Sequence, residues 1–91
     1  MAESKYTIII LAAAEKNLRK LNRQQFLKID EAIQSLKDDA HPQGCKKLKG
    51  YNDTYRVRVG DYRIVYTIKD EQLIIEIIRV APRKDVYKNL G

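Results

Sequence analysis

The segment Tyr55-Arg56-Val57-Arg58-Val59-Gly60-Asp61-Tyr62-Arg63-Ile64-Val65-Tyr66 alternates apolar and basic residues on either side of Gly60-Asp61. That pattern predicts a β-hairpin closed by a two-residue loop. In this register Val59 pairs with Tyr62, Arg58 with Arg63, Val57 with Ile64, Arg56 with Val65 and Tyr55 with Tyr66, so one face is apolar and the other arginine-rich. Like charges directly opposite one another cost a few tenths to about 1 kcal/mol, which a Thr or Val at either position would avoid. A bound anion gives such a pair a use that the fold does not. The competing reading is a solvated outer face, with Glu76 neutralising Arg56 across the sheet if the second turn is equally short.

Other residues converge on the same hairpin. Arg83 and Tyr87 lie four apart at the predicted start of a last helix, hence on one helical face. Lys46, Lys47 and Lys49 lead into the hairpin from the other side. If the anion is RNA, cleavage without a metal proceeds by attack of the 2′-hydroxyl on its own phosphate. That path needs a base, cations for the phosphorane and an acid for the 5′-oxygen. The single histidine, His41, lies in a Pro/Gly loop distant in sequence from the arginines, so a histidine pair is excluded. Catalysis would then lean on charge, with Arg56, Arg58, Arg63 and Arg83 as forked donors to phosphate oxygens. Tyr87 is the nearby titratable hydroxyl, whose pKa neighbouring cations would lower; stacking on a displaced base and packing of the last helix are its rival roles. Cys45, beside Lys46 and Lys47, reads as an incidental small residue.

The chain's balance of charge agrees with an anionic partner. Of the net +6, residues 46–91 hold +5, with 11 Lys/Arg against 6 Asp/Glu. Such a half implies nucleic acid or an acidic protein, although a solubilising surface gives the same count. One cysteine rules out an internal disulfide and a cysteine zinc cluster, which fits a reducing cytoplasm. No phosphate-binding glycine loop, metal-ligand spacing or nucleophile elbow is present, and neither a metal nor another cofactor is expected. The longest apolar run, Thr7 to Ala14, is far short of a membrane span, and no signal-peptide pattern precedes it. At 91 residues there is room for one domain, 1–91, with a modest core.

The elements that must position these residues follow from periodicity. Tyr6 to Leu11 is β-branched and predicts a first strand. Leu11, Ala14, Leu18 and Leu21, then Phe26, Ile29, Ile33, Leu36 and Ala40, recur at helical spacing, with Asn22 and Gln25 placed as an N-cap and its N3 partner. His41-Pro42-Gln43-Gly44 breaks the helices. Tyr55–Val59, Tyr62–Ile68 and Leu73–Val80 are strand candidates, the last two joined by a turn near Asp70-Glu71. A short helix from about Pro82 to Leu90 closes the chain, with Pro82 in its first turn. The expected architecture is α+β: β-α-α-β-β-β, an antiparallel sheet with an αα-hairpin on one face and the other face left for function.

In Lys47-Leu48-Lys49-Gly50, in the hairpin Tyr55 to Tyr66, and in Val80-Ala81-Pro82-Arg83-Lys84-Asp85-Val86-Tyr87, the sequence resembles the RelE/ParE toxin superfamily over essentially its full length. The resemblance implies the RelE-like, microbial ribonuclease-type fold and, for RelE-type members, a metal-independent endoribonuclease that cuts mRNA in the ribosomal A site. It places catalytic groups at Arg56, Arg58, Arg63, Arg83 and Tyr87 and an RNA contact at Lys49; Lys46, Lys47 and Lys84, basic and close in sequence to these groups, are expected to bind RNA as well. Arg56 and Arg58 stand where some relatives have lysine, which weakens a scheme with lysine as general base. The resemblance also implies a cognate acidic antitoxin, with operator DNA reached only through that partner. Two alternatives remain at this point: a ParE-like inhibitor of DNA gyrase without nuclease activity, and an RNA-binding module that does not cleave.

Overall fold

The computed structural model describes residues 5–84. The first strand, β1, spans Thr7–Ile10 and runs directly into helix α1, Ala12–Arg19. Helix α2 spans Arg23–Ser35 and begins as the sequence predicts. The Asn22 side chain accepts from the Gln25 backbone at 2.8 Å, and the Gln25 side chain accepts from the Asn22 backbone at 3.3 Å. This reciprocal pair satisfies two amide donors that a helix start otherwise leaves open. The helix ends at Ser35, so Ala40, expected on its stripe, reaches the core from the turn beyond it.

Four further strands follow: β2 Lys46–Lys47, β3 Thr54–Val59, β4 Tyr62–Lys69 and β5 Ile74–Pro82. A single 3-10 turn, Asp70–Gln72, joins β4 to β5. The order across the sheet is β1-β5-β4-β3-β2. Strands β3 to β5 pair antiparallel as expected, the short β2, which the sequence did not predict, adds antiparallel to β3, and β1 lies parallel to β5, with Thr7 opposite Ile74 and Ile10 opposite Ile77. The sheet is therefore mixed. Hairpin loops dictate the direction of β3, β4 and β5, whereas β1 is joined to its neighbour by no hairpin, so nothing local in the sequence sets its sense.

The two helices cover one face. Ala14, Leu18, Ile29, Ile33 and Leu36 pack with Val57, Ile64, Tyr66, Ile68, Ile75 and Ile77 into one buried cluster. Burying a Leu or Ile side chain contributes roughly 1.5–3 kcal/mol before entropy is subtracted, so this layer holds the sheet flat against the helices. A second, smaller cluster lies on the opposite face, where Val65 and Ala81 are buried with Leu48 and Ile78 packed against them. The outer face thus has an apolar floor at its middle.

Pro82 does not open a helix: it is the last residue of β5, opposite Tyr62. The backbone of Arg83 extends the pairing by donating to the Asp61 carbonyl at 3.0 Å. An N–H used in this way and a proline at the strand's end are compatible, because strand-terminal proline leaves no interior ladder bond unmade. The remainder of the predicted closing helix, Tyr87 included, lies outside the described residues. Among those described, no helix is long and apolar enough to cross a membrane.

Candidate nucleic-acid interface

The β3–β4 register is the one the sequence predicts at every pair, from Val59 opposite Tyr62 to Tyr55 opposite Tyr66. Gly60 has φ +60 and Asp61 has no positive φ, the φ pattern of a II′ turn with glycine at its first central position. Since Val57, Ile64 and Tyr66 belong to the helix-side core, alternation sends Arg56, Arg58, Arg63 and Val65 to the other face.

Two rows of basic residues cross that face. Lys46 stands opposite Arg56, Arg56 opposite Val65 and Val65 opposite Arg79. In the next row Arg58 stands opposite Arg63 and Arg63 opposite Ala81. The register slips between Val65 and Tyr66, where Ile78 is the extra residue of a β-bulge. Because of it, Ile77 and Val80 both face the helices while Arg79 and Ala81 fall on the outer face, and Arg83 continues that second phase.

Arg56, Arg58, Arg63 and Arg83 line a single open cleft of ≈ 650 Å³, with Lys46 at its wall. Gln43, Gly44 and Gly60 complete the described lining, and no carboxylate belongs to it. Among the described residues, Lys46, Arg56, Arg58 and Arg83 make no ion pair. The clamp of Arg56 by Glu76 that the competing reading required does not form: Glu76 lies opposite Thr67 and pairs with Lys69 at 3.5 Å. Of the cleft arginines, Arg58 Nε donates to the Gly60 carbonyl at 3.2 Å, which holds the side chain against the turn and leaves most of its fork unused.

Arg63 departs from the competing reading of a solvated arginine face. It is 7% exposed, and Nη1 donates to the Tyr62 carbonyl at 3.3 Å. Its position is central: Arg63 sits on an inner strand between Arg58 and Ala81. Arg58, nearer the edge, is exposed.

The other candidates separate. Lys47 pairs with Tyr55, whose side chain belongs to the helix-side layer, so it points away from the cleft wall that Lys46 forms. Lys49 and Lys84 are exposed and do not line the cleft. His41 packs edge-on against Tyr55 with ring centroids 4.9 Å apart, outside the cleft, as a loop histidine would. Tyr66 is fully buried and donates its hydroxyl to the Ala40 carbonyl at 2.8 Å. Burial, together with the neighbouring Cys45, pushes its phenol well above the usual tyrosine range, so it moves no proton near neutral pH. Sequence reasoning did not single out Gln43, or Arg79 on the outer face. The Pro-Gln-Gly turn just before Lys46 was a signal for the first, while the bulge that places the second has none in the sequence.

The family model described as "ParE toxin of type II toxin-antitoxin system, parDE" matches residues 8–87. A Methanocaldococcus jannaschii protein called RelE1 is 33% identical over 88 residues, 93% of this chain and 98% of that protein. The toxin RelG of Mycobacterium tuberculosis is 30% identical over 84 residues, 91% of this chain and 97% of its own. A chain of the archaeal RelE–RelB complex from Pyrococcus horikoshii OT3 superimposes with a TM-score of 0.77 at 28% identity, covering 87% of this chain and 96% of that one. A chain of the M. tuberculosis toxin–antitoxin complex RelBE2 gives 0.74 at 28%, covering 87% and 99%. With a family match over residues 8–87 and relatives aligned almost end to end, this chain belongs to the RelE/ParE toxins of type II toxin–antitoxin systems.

Proposed function

We propose that this toxin is a ribosome-dependent endoribonuclease, which cuts mRNA in the ribosomal A site by attack of a 2′-hydroxyl on the adjacent phosphate and needs no metal. The observation that carries the proposal is the gathering of Arg56, Arg58, Arg63, Arg83 and Lys46 in one cleft whose described lining holds no carboxylate. Forked guanidinium groups suit the oxygens of a phosphorane, where charge increases on the way to the transition state. Arg56 and Arg58, two residues apart on β3, present their forks along one strand, and Arg83 approaches from the end of β5. Tyr87 is assigned the proton transfer or the stacking of the displaced base. With no acid–base pair among the described lining of the cleft, the chain relies on the ribosome to hold the 2′-hydroxyl in line with its phosphate, a contribution that orientation alone makes large. The protein acts in the cytoplasm, where its substrate is.

The partner follows from the same face. The structures this chain resembles include complexes of RelE with RelB. An acidic antitoxin binding here satisfies the cations that RNA otherwise meets.

A gyrase-inhibitor reading has one observation in its favour, the ParE name of the matching family model. The cleft argues for the nuclease, because nothing in inhibition of a topoisomerase calls for phosphate-binding forks on a sheet face. Expression of the chain in cells, with mapping of mRNA 5′ ends and measurement of plasmid supercoiling, decides between them. Cuts at fixed positions within codons, confined to translated regions and with supercoiling unchanged, are the expected result.

A further inference from the structure

Gln43 occupies a place in the cleft that phosphate binding does not explain. The turn Pro42–Cys45 is closed by the Cys45 amide donating to the Pro42 carbonyl at 3.0 Å. Gly44 supplies φ +90 at the second central position, which a type II turn requires, and Gln43 holds the first. Nothing lies within 4 Å of where a Cβ on Gly44 would stand, so the glycine is needed for its backbone angle and not for space. On one side the turn is anchored by Cys45, packed against the core, and on the other Lys46 pairs directly with Arg56. Gln43 is therefore carried on a fixed corner, exposed, with its side chain at the wall of the arginine cleft.

The chemistry of that wall sets Gln43 apart. Every other described lining residue is a glycine or a cation, and lysine and arginine only donate hydrogen bonds. The cationic side chains bind phosphate and the carbonyl or ring-nitrogen acceptors of bases, but none of them can accept from an exocyclic amino group. The Gln43 carboxamide both accepts and donates, and among the described residues it has no hydrogen-bond partner of its own. A carboxamide matches adenine, which offers an N6 donor beside an N7 acceptor, in a way that uracil, with only acceptors on the corresponding edge, does not.

We propose that Gln43 is a specificity-determining residue of the cleft and favours adenine in the nucleotide next to the bound phosphate. The inference rests on the nuclease reading above, and the following experiment separates the two. Ribosomes are programmed with A-site codons that differ by A or U at one position at a time, and single-turnover cleavage by the wild-type chain and by Gln43→Leu is compared. The wild type is expected to cut the A codon faster at one of the three positions, by roughly 5- to 100-fold, the range of a good bidentate base contact. In Gln43→Leu the ratio falls to near one, through loss on the A codon. A general defect of folding or positioning lowers both codons together and leaves the ratio intact, so the ratio is the diagnostic. A wild-type ratio near one at all three positions, or a preference that persists in Gln43→Leu, overturns the inference while leaving the nuclease standing. Failure of the wild type to cut any programmed message overturns both.

Discussion

Arg58 and Arg63 stand directly opposite each other across β3 and β4, yet one is exposed and the other is 7% exposed. The two members of a like-charged pair therefore contribute to stability in opposite senses. Replacing Arg58 with threonine removes repulsion and adds β-propensity at an exposed site, so Arg58→Thr is expected to match or exceed the parent by about 0.3–1 kcal/mol. Added salt narrows that gap, since exposed charges are screened. Arg63→Thr instead empties a space filled by the arginine stem and is expected to lose roughly 1–3 kcal/mol. Denaturant melts at low and high salt check both signs, and equal effects in the two variants would contradict the asymmetry.

Loss of cleavage should be independent of that asymmetry. Arg83 lines the cleft from beyond β5 and is exposed, so Arg83→Ala is expected to leave the fold intact while slowing single-turnover cleavage at least ~100-fold, the usual cost of removing one transition-state donor. Tyr87→Phe is expected to do the same if its hydroxyl moves a proton. Ribosome binding is expected to survive in both. A Tyr87→Phe variant that cleaves normally assigns Tyr87 to stacking or packing.

The hairpin was legible in the sequence because period-two alternation and a Gly-Asp loop fix both register and face at once. The helix start at Asn22 was legible for a similar reason, since a capping box is a local signal. Burial of Arg63 was not, because it depends on which strands flank β4, and strand order is set by packing across the whole sheet. The two-residue strand Lys46–Lys47 was also missed: two residues have no period, and only the position of Arg56 opposite Lys46 reveals the pairing. The core face of the helices was read well except at Phe26, which sits at the margin of the stripe and is 38% exposed.

Neutralisation should depend on salt at the encounter step. The half of the chain from residue 46 on carries +5 of the net +6, and the cleft cations have no carboxylate among the described lining. Stopped-flow association with the cognate antitoxin is expected to slow by roughly tenfold or more between low and high salt. A rate indifferent to salt would show that the antitoxin first meets another surface.

Alkaline stability follows from Tyr66. Burial raises its phenol above the ordinary value of about 10, so the folded chain keeps a proton that the unfolded chain gives up. The stability this provides is complete below about pH 10 and declines as pH rises further. Tyr6 adds to the same window, its phenol raised first by donation to the Asp70 carboxylate at 2.5 Å. Tyr66→Phe is expected to flatten part of the decline above about pH 10. At neutral pH it loses roughly 0.5–2 kcal/mol, because the Ala40 carbonyl is left without its donor. Melts at pH values on either side of about 10 read both effects.

The bulge at Ile78 yields the sharpest test of how the site is placed. Ile77 and Val80 face the helices, two residues separate them, and Arg79, Ala81 and Arg83 fall on the cleft side only because one of those two is extra. Deleting Ile78 leaves Tyr66 opposite Ile77 and Val65 opposite Arg79, so the partners on either side of the bulge keep their register and their faces. Deleting Ala81 has the opposite consequence: the pairing before it is untouched, but every residue after it changes face, and Arg83 turns from the cleft toward the helices. Both deletions remove an apolar side chain of the same outer cluster, so both are expected to lose stability of a few kcal/mol at most, roughly 1–3. Their effects on cleavage should diverge. The Ile78 deletion is expected to cut within about tenfold of the parent, while the Ala81 deletion falls by ~100-fold or more, as for loss of the Arg83 donor itself. Circular dichroism confirms that each variant is folded, and single-turnover assays on ribosomes give the comparison. A folded Ile78 deletion as inactive as the Ala81 deletion would mean that the local twist of the bulge, and not the phase it sets, aims Arg83 at the phosphate.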